Sequence, residues 1–165
     1  MEQSHSGPRL IIICGLPGSG KTTLATSLER QLGAVRLSAD DWMTELGINL
    51  WDEEKRARME ALQWRLTQQL LLQGLIVIIE WGTWGREERD KLRLGARRLG
   101  AAVELHYLAA PVDVLWERVQ QRAMEDPPIT RESLEAWCQH FQSPTAEEMA
   151  LFDLPLVKME GIEPA

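Results

Sequence analysis

The sequence predicts an α/β domain, a parallel sheet with helices on both faces, and three observations predict it. Strand-like and helix-like stretches alternate along the chain, the pattern of parallel strands joined by helical crossovers. The segment Leu75 to Glu80 is apolar on both faces, as a buried central parallel strand requires. A Gly-rich turn joins the first strand to the first helix, where such folds place a helix N-terminus against a ligand. At 165 residues the chain has the length of one ordinary domain.

The elements follow in order. Residues 1–8 read as a disordered tail, and residues 9–165 as the domain. Arg9 to Cys14 is a short β-branched run. A helix follows from Lys21 to Leu32 and stops at Gly33. Ala34 to Ser38 is a second strand, and Asp40 to Leu46 a helical turn. Asp52 caps a long helix with Glu53 and Glu54 in its first turn, ending at Gly74. After the third strand, Arg86 to Leu99 is helical and Gly100 closes it. Ala102 to Leu108 is the fourth strand, and Pro111 opens a helix that runs through Arg122. Asp126-Pro127-Pro128 breaks the pattern. Thr130 then caps a helix, Thr145 caps another ending near Phe152, and Leu154 to Met159 reads as a fifth, edge strand. The expected sheet order is 2-3-1-4-5, with a small helical lid.

The run Gly15-Leu16-Pro17-Gly18-Ser19-Gly20-Lys21-Thr22 satisfies G-x-x-x-x-G-K-[ST] at every defined position, with a strand before it and a helix after it. Glycines let backbone N–H groups wrap a phosphate, and the helix adds its positive end. A single-domain P-loop NTPase fold follows. The cradle of ATP is expected from Gly15, Pro17, Gly18, Ser19, Gly20, Lys21, Thr22 and Thr23, with Lys21 on the β- and γ-phosphates and Thr22 completing the Mg²⁺ shell. No Asn-Lys-x-Asp guanine-reading motif occurs, nor a Walker-B stretch ending in Asp. The length leaves no room for the extra helical domain of ring-forming ATPases, which points to a small kinase.

Asp40 and Asp41 stand at the C-terminal end of the second strand, the edge where open parallel sheets bind ligands. Asp40 can accept the proton of an attacking hydroxyl, or it can simply cap the short helix after it. The P-loop followed by this strand-end Asp-Asp-Trp step resembles polynucleotide 5′-kinases, zeta-type toxins and chloramphenicol phosphotransferases. That resemblance, spanning roughly Leu10 to Asp126, implies that Asp40 is the base. Glu80-Trp81-Gly82-Thr83-Trp84-Gly85-Arg86 is similar to the zeta-toxin Glu-Gly-Thr-Gly-Arg segment, in which Glu and Arg hold substrate. An added Trp shifts the spacing by one residue, so Glu80 carries over more safely than Arg86. A structural acid is the alternative for Glu80.

Trp42, Trp81, Trp84 and Trp51 fall near this edge and either contact a ring-bearing substrate or pack the core; Trp64, Trp116 and Trp137 sit at helical core spacing. Arg118 and Arg122 lie one helical turn apart. They either form a solvated face or stabilise the charge of a transferring phosphoryl, as in the Arg-x-x-x-Arg lid of the kinases they resemble. The segment beyond Pro128 resembles the C-terminal part of a bacterial family of P-loop ATP-binding proteins of unassigned substrate.

The formal net charge is −7, which disfavours a nucleic-acid partner because phosphate neutralisation needs a basic surface. The six basic residues between Arg86 and Arg98 alternate with acids on one helix, as a solvated face would. No apolar run reaches membrane-spanning length. Two distant cysteines, Cys14 and Cys138, fit reduced thiols of a cytoplasmic protein. The expected activity is transfer of the γ-phosphate of ATP to a hydroxyl of a small molecule by a monomer or weak homodimer. The rivals are a polynucleotide 5′-hydroxyl kinase and a regulatory module that binds ATP without transfer.

Overall fold

The computed structural model describes residues 7–158. The strands are β1 (Arg9–Cys14), β2 (Val35–Leu37), β3 (Ile76–Gly82) and β4 (Ala102–Tyr107), in the order β2-β3-β1-β4. Every pairing is parallel, with Ile11 opposite both Ile78 and Glu104. The helices are α1 (Lys21–Leu32), α2 (Ala39–Glu45), α3 (Glu53–Leu72), α4 (Arg86–Arg98), α5 (Val112–Arg122), α6 (Arg131–His140) and α7 (Ala146–Met149).

β1 is central, and Leu10 to Cys14 are wholly buried. Period-two alternation splits them between two cores. Leu10 and Ile12 join Val77, Ile79, Val103 and Leu105 under Leu71 of α3 and Leu92 of α4, while Ile11 and Ile13 meet Leu24 and Leu28 of α1. Each such side chain contributes about 1.5–3 kcal/mol by leaving water. The sheet is thereby sandwiched, and the C-terminal ends of β1, β2 and β3 open onto one edge.

Four expectations change. The fifth strand is not formed among the described residues: Leu154 to Lys158 is irregular, and Met159 lies outside them. Asp153 makes one strand-like exchange with β4, donating its N–H to Val103 O at 2.8 Å while its carboxylate takes the Val103 N–H at 2.7 Å. Pro155 then removes a donor, and the Leu156 N–H goes instead to the buried carboxylate of Glu104 at 3.0 Å. The last helix stops at Met149 rather than near Phe152. At the other end, residues 1–6 of the expected tail lie outside the described residues, and Pro8 already belongs to the domain, its carbonyl accepting from Ala102 N–H at 3.0 Å.

The fourth change concerns α4. Arg89 was expected on a solvated face, yet it is completely buried. Its Nε and Nη2 donate to the two carboxylate oxygens of Glu148 at 2.6 and 3.0 Å, and its remaining N–H groups reach Thr83 O and Gln142 O. A buried forked pair of this kind satisfies both ions. It staples the segment after Pro128, for which the residues alone gave no role, to the loop that follows β3.

Candidate functional site

A cavity of about 770 Å³ lies at the C-terminal edge of the sheet. The P-loop forms its floor. Gly18 adopts φ +81, and a Cβ there would stand 2.8 Å from Leu115 O, so only glycine lets the loop pass beneath α5. Gly20, at φ +96, opens α1 with empty space where a Cβ would be. Gly15 and Ser19 lie behind the wall, Ser19 buried with its hydroxyl unpartnered. Pro17, Gly18, Gly20, Lys21, Thr22 and Thr23 face the cavity.

Lys21 donates to Leu16 O at 2.9 Å and makes no ion pair among the described residues. Burial pushes its pKa down to about 8, against the opposing pull of Asp40. A half-buried ammonium on a rim of backbone N–H groups, with only a carbonyl partner, fits a polyphosphate. No group of three carboxylates, cysteines or histidines positioned to hold a metal occurs among the described residues. Thr22 faces the cavity, which fits a Mg²⁺ held by one hydroxyl and by nucleotide phosphates.

The strand-end acids are separated by the helix cap. Ser38, not Asp40, caps α2, accepting from Asp41 N–H at 3.3 Å. The Asp40 carboxylate is therefore free to face the cavity, where Arg56 of α3 donates to it at 2.6 Å. Asp41 turns away and pairs with Arg36 of β2 at 2.6 Å. The same guanidinium donates to Glu80 Oε1. Glu80 lines the cavity, is 7% exposed, and its Oε2 has no hydrogen-bond partner. Burial raises its pKa, and Arg36 and the nearby Ser38 hydroxyl, which stands outside hydrogen-bonding geometry to Oε2, oppose the rise.

On the opposite wall, Arg118 of α5 reaches back to Gly18 O at 3.1 Å, and Arg122 pairs with Glu125; both arginines line the cavity. Trp137 of α6 packs between Trp84, at 5.6 Å between ring centroids, and Trp51, at 5.9 Å. Trp51 Nε1 donates to Pro127 O at 2.7 Å, tying the loop before α3 to the segment between α5 and α6. These three rings form an aromatic side of the cavity.

The structure brings together Lys21, Thr22, Asp40, Glu80, Trp84, Arg118 and Arg122. It does not bring Trp42 or Arg86 there. Trp42 packs with Met43, Met59 and Trp81 under α2 and α3, because the cap at Ser38 sets which face of the short helix meets the core. Arg86 lies exposed at the start of α4, its Nε 3.5 Å from Asp90. Trp137 packs against the core cluster of Leu115, Val119 and Leu134, as expected, and also reaches the cavity wall. Arg36, Arg56, Glu60, Glu88 and Thr83 escaped the sequence reading. Arg36 alone carried a signal, a charge inside a three-residue strand directly before two aspartates. Thr83 carries a positive φ of 44, and its buried hydroxyl is unpartnered.

Comparisons with known proteins agree with this architecture. Uncharacterized proteins of Mycobacterium bovis and Mycobacterium tuberculosis are 32% identical over 145 residues, 78% of this chain, and the chain spans only 28% of their length. A chain of the Pnkp1/Rnl/Hen1 RNA repair complex superposes with a TM-score of 0.72 at 23% identity, covering 99% of this chain and 53% of that one. A gluconokinase from Sinorhizobium meliloti superposes at 0.60 with 22% identity, covering 85% and 78%. These are likenesses of fold, that of a kinase-like P-loop domain. The profile of a family described as AAA domain matches residues 10–144, most of the chain including the P-loop, Arg118 and Arg122. The chain belongs to that AAA domain family.

Proposed function

We propose that the protein transfers the γ-phosphoryl group of ATP to a hydroxyl of a small-molecule acceptor. The observation that carries this reading is one cavity lined by the P-loop, the strand-end carboxylate of Asp40 and the two arginines Arg118 and Arg122. ATP with Mg²⁺ supplies the transferable group. The P-loop N–H groups and Lys21 hold the phosphates, and Thr22 holds the metal. Asp40 orients the acceptor hydroxyl and takes its proton as the oxygen–phosphorus bond forms and the bond to ADP breaks. Arg118 and Arg122 stabilise the negative charge spread over the transferring oxygens. Arg56 holds Asp40 in place, so the carboxylate is positioned before substrate arrives. The resemblance to zeta-type toxins and chloramphenicol phosphotransferases supports the same assignment.

The likeness to the RNA repair complex favours a second reading, in which the acceptor is a polynucleotide 5′-hydroxyl. The acceptor side of the cavity counts against it: Glu53, Glu60, Glu80 and Glu88 line it along with Asp40. A nucleic-acid strand needs cations along its path.

Lys21→Ala tests nucleotide binding. ATP with Mg²⁺ should raise the melting temperature of the wild type, as any ligand bound only to the native state does, and the variant should lose most of that rise. An equal rise in both would overturn the placement of ATP on the P-loop.

A further inference from the structure

The acceptor side of the cavity is more acidic than phosphoryl transfer requires. One carboxylate suffices as a base, and Asp40 already has Arg56 for a partner. Glu60 of α3 and Glu88 of α4 nonetheless line the same cavity, and the charge of Glu88 acts on Glu60. Both are half-buried, and neither forms an ion pair among the described residues. Several cations of these two helices form their ion pairs elsewhere: Lys55 with Asp52, Arg56 with Asp40, Arg58 with Glu54, Lys91 with Glu87, and Arg89 with Glu148. Burial, reinforced by Glu88 and Asp40 and opposed by Arg56, pushes the pKa of Glu60 up to about 7.

A second observation points to a ligand. Glu80 is 7% exposed, lines the same cavity, and leaves Oε2 without a partner while Arg36 occupies Oε1. A buried acceptor atom left unpaired costs about 1–3 kcal/mol, a cost that a donor on the substrate would remove. A metal ion is a poor candidate for that donor, because no three of these carboxylates converge to ligating geometry among the described residues. The carboxylates are spread across α2, α3, β3 and α4, which suits a larger molecule with several donors. The indole faces of Trp84, Trp137 and Trp51 supply the remaining wall, and such faces attract organic cations.

We infer that the acceptor carries at least one protonated amine beside its hydroxyl, seated between Glu60 and Glu88 with a further donor on Glu80. This rests on the kinase reading for its hydroxyl and its chemistry. The chemical class is an amino sugar or aminocyclitol, in which ammonium and hydroxyl groups alternate around a ring of a size the cavity holds. Asp40 then takes the reacting hydroxyl, and the amine is anchored away from the phosphoryl group. An acidic sugar would meet like charges at three positions.

The test uses the full chain with five probes, each with ADP and Mg²⁺ for binding and with ATP and Mg²⁺ for transfer: glucosamine, neamine, glucose, myo-inositol and gluconate. Thermal shift and calorimetry read binding, and ADP formation with mass spectrometry of the probe reads transfer. The amine-bearing probes should bind at least about tenfold more tightly than the neutral or acidic ones, and Glu60→Gln with Glu88→Gln should abolish that preference while leaving the ATP-induced shift intact. Equal or tighter binding of glucose, inositol or gluconate would overturn the inference. So would an unchanged preference in the double variant, or no response to either amine probe. Efficient transfer to a neutral or acidic probe would leave the kinase reading standing and remove the amine. Amine-selective binding with no transfer to any bound probe would keep the cation site and count against the kinase.

Discussion

The floor of the cavity comes from one short stretch of chain, Pro17 to Thr23, whereas the acidic side that we propose for the acceptor is assembled from α2, α3, β3 and α4. The floor works mainly through backbone N–H groups and one lysine, so it needs glycines at fixed spacing and little support from elsewhere. The acidic side presents carboxylates from several elements: Asp40 is held by Arg56 and Glu80 by Arg36, which also pairs with Asp41 behind the wall, while Glu60 and Glu88 form no ion pair among the described residues. A phosphate cradle is thus a local structure, and an acceptor pocket a tertiary one. The first can be common to kinases with many substrates, while the second is free to differ between them.

The largest expected effect comes from breaking the staple beneath the acceptor side. Arg89→Leu would strand the Glu148 carboxylate in the interior, and loss of one partner of a buried pair costs about 3–5 kcal/mol. Urea denaturation should show that loss, and Arg89→Leu with Glu148→Leu should recover most of it. If Arg89→Leu were as stable as wild type, the C-terminal segment would not be anchoring the Thr83 loop.

A smaller effect of opposite sign is expected at Glu60. Its pKa is raised from 4.5 to about 7, so the folded state binds more protons than the unfolded one between those values, and stability is lost as pH rises through 7. Glu60→Gln, always neutral, should be more stable than wild type at pH 8 by on the order of 1–3 kcal/mol, with the difference fading toward pH 4. Parallel denaturation curves at both pH values check this. A destabilised variant at pH 8 would mean that Glu60 has a cationic partner in the folded protein and carries no uncompensated charge.

The same contrast governs what the sequence could reveal. The P-loop, its flanking strand and helix, and the parallel order of the first four strands follow from local rules: motif spacing, Gly33 after α1, a strand apolar on both faces. Asp40 was legible because the strand end is a fixed place in such sheets. What escaped depends on contacts between distant residues. Arg89 sits in a helix that reads as amphipathic and charged, yet its own partner lies 59 positions away. Arg36 and Arg56 acquire their roles only from partners on β3 and α2. That no fifth strand forms among the described residues is a matter of competition: side chains of Asp153 and Glu104 satisfy backbone groups that a ladder would have taken.

The central claim is that Asp40 serves chemistry and not nucleotide binding. Asp40→Asn, compared with wild type and Asp41→Asn, tests it most directly: thermal shift with ATP and Mg²⁺ alongside the rate of phosphoryl transfer to an accepted probe. Asparagine keeps the shape of the side chain but cannot take the proton. The account predicts an ATP-induced shift like that of wild type in all three proteins, and transfer reduced by about a hundredfold or more in Asp40→Asn alone. Transfer at the wild-type rate in Asp40→Asn, or loss of transfer in Asp41→Asn with Asp40→Asn active, would contradict it.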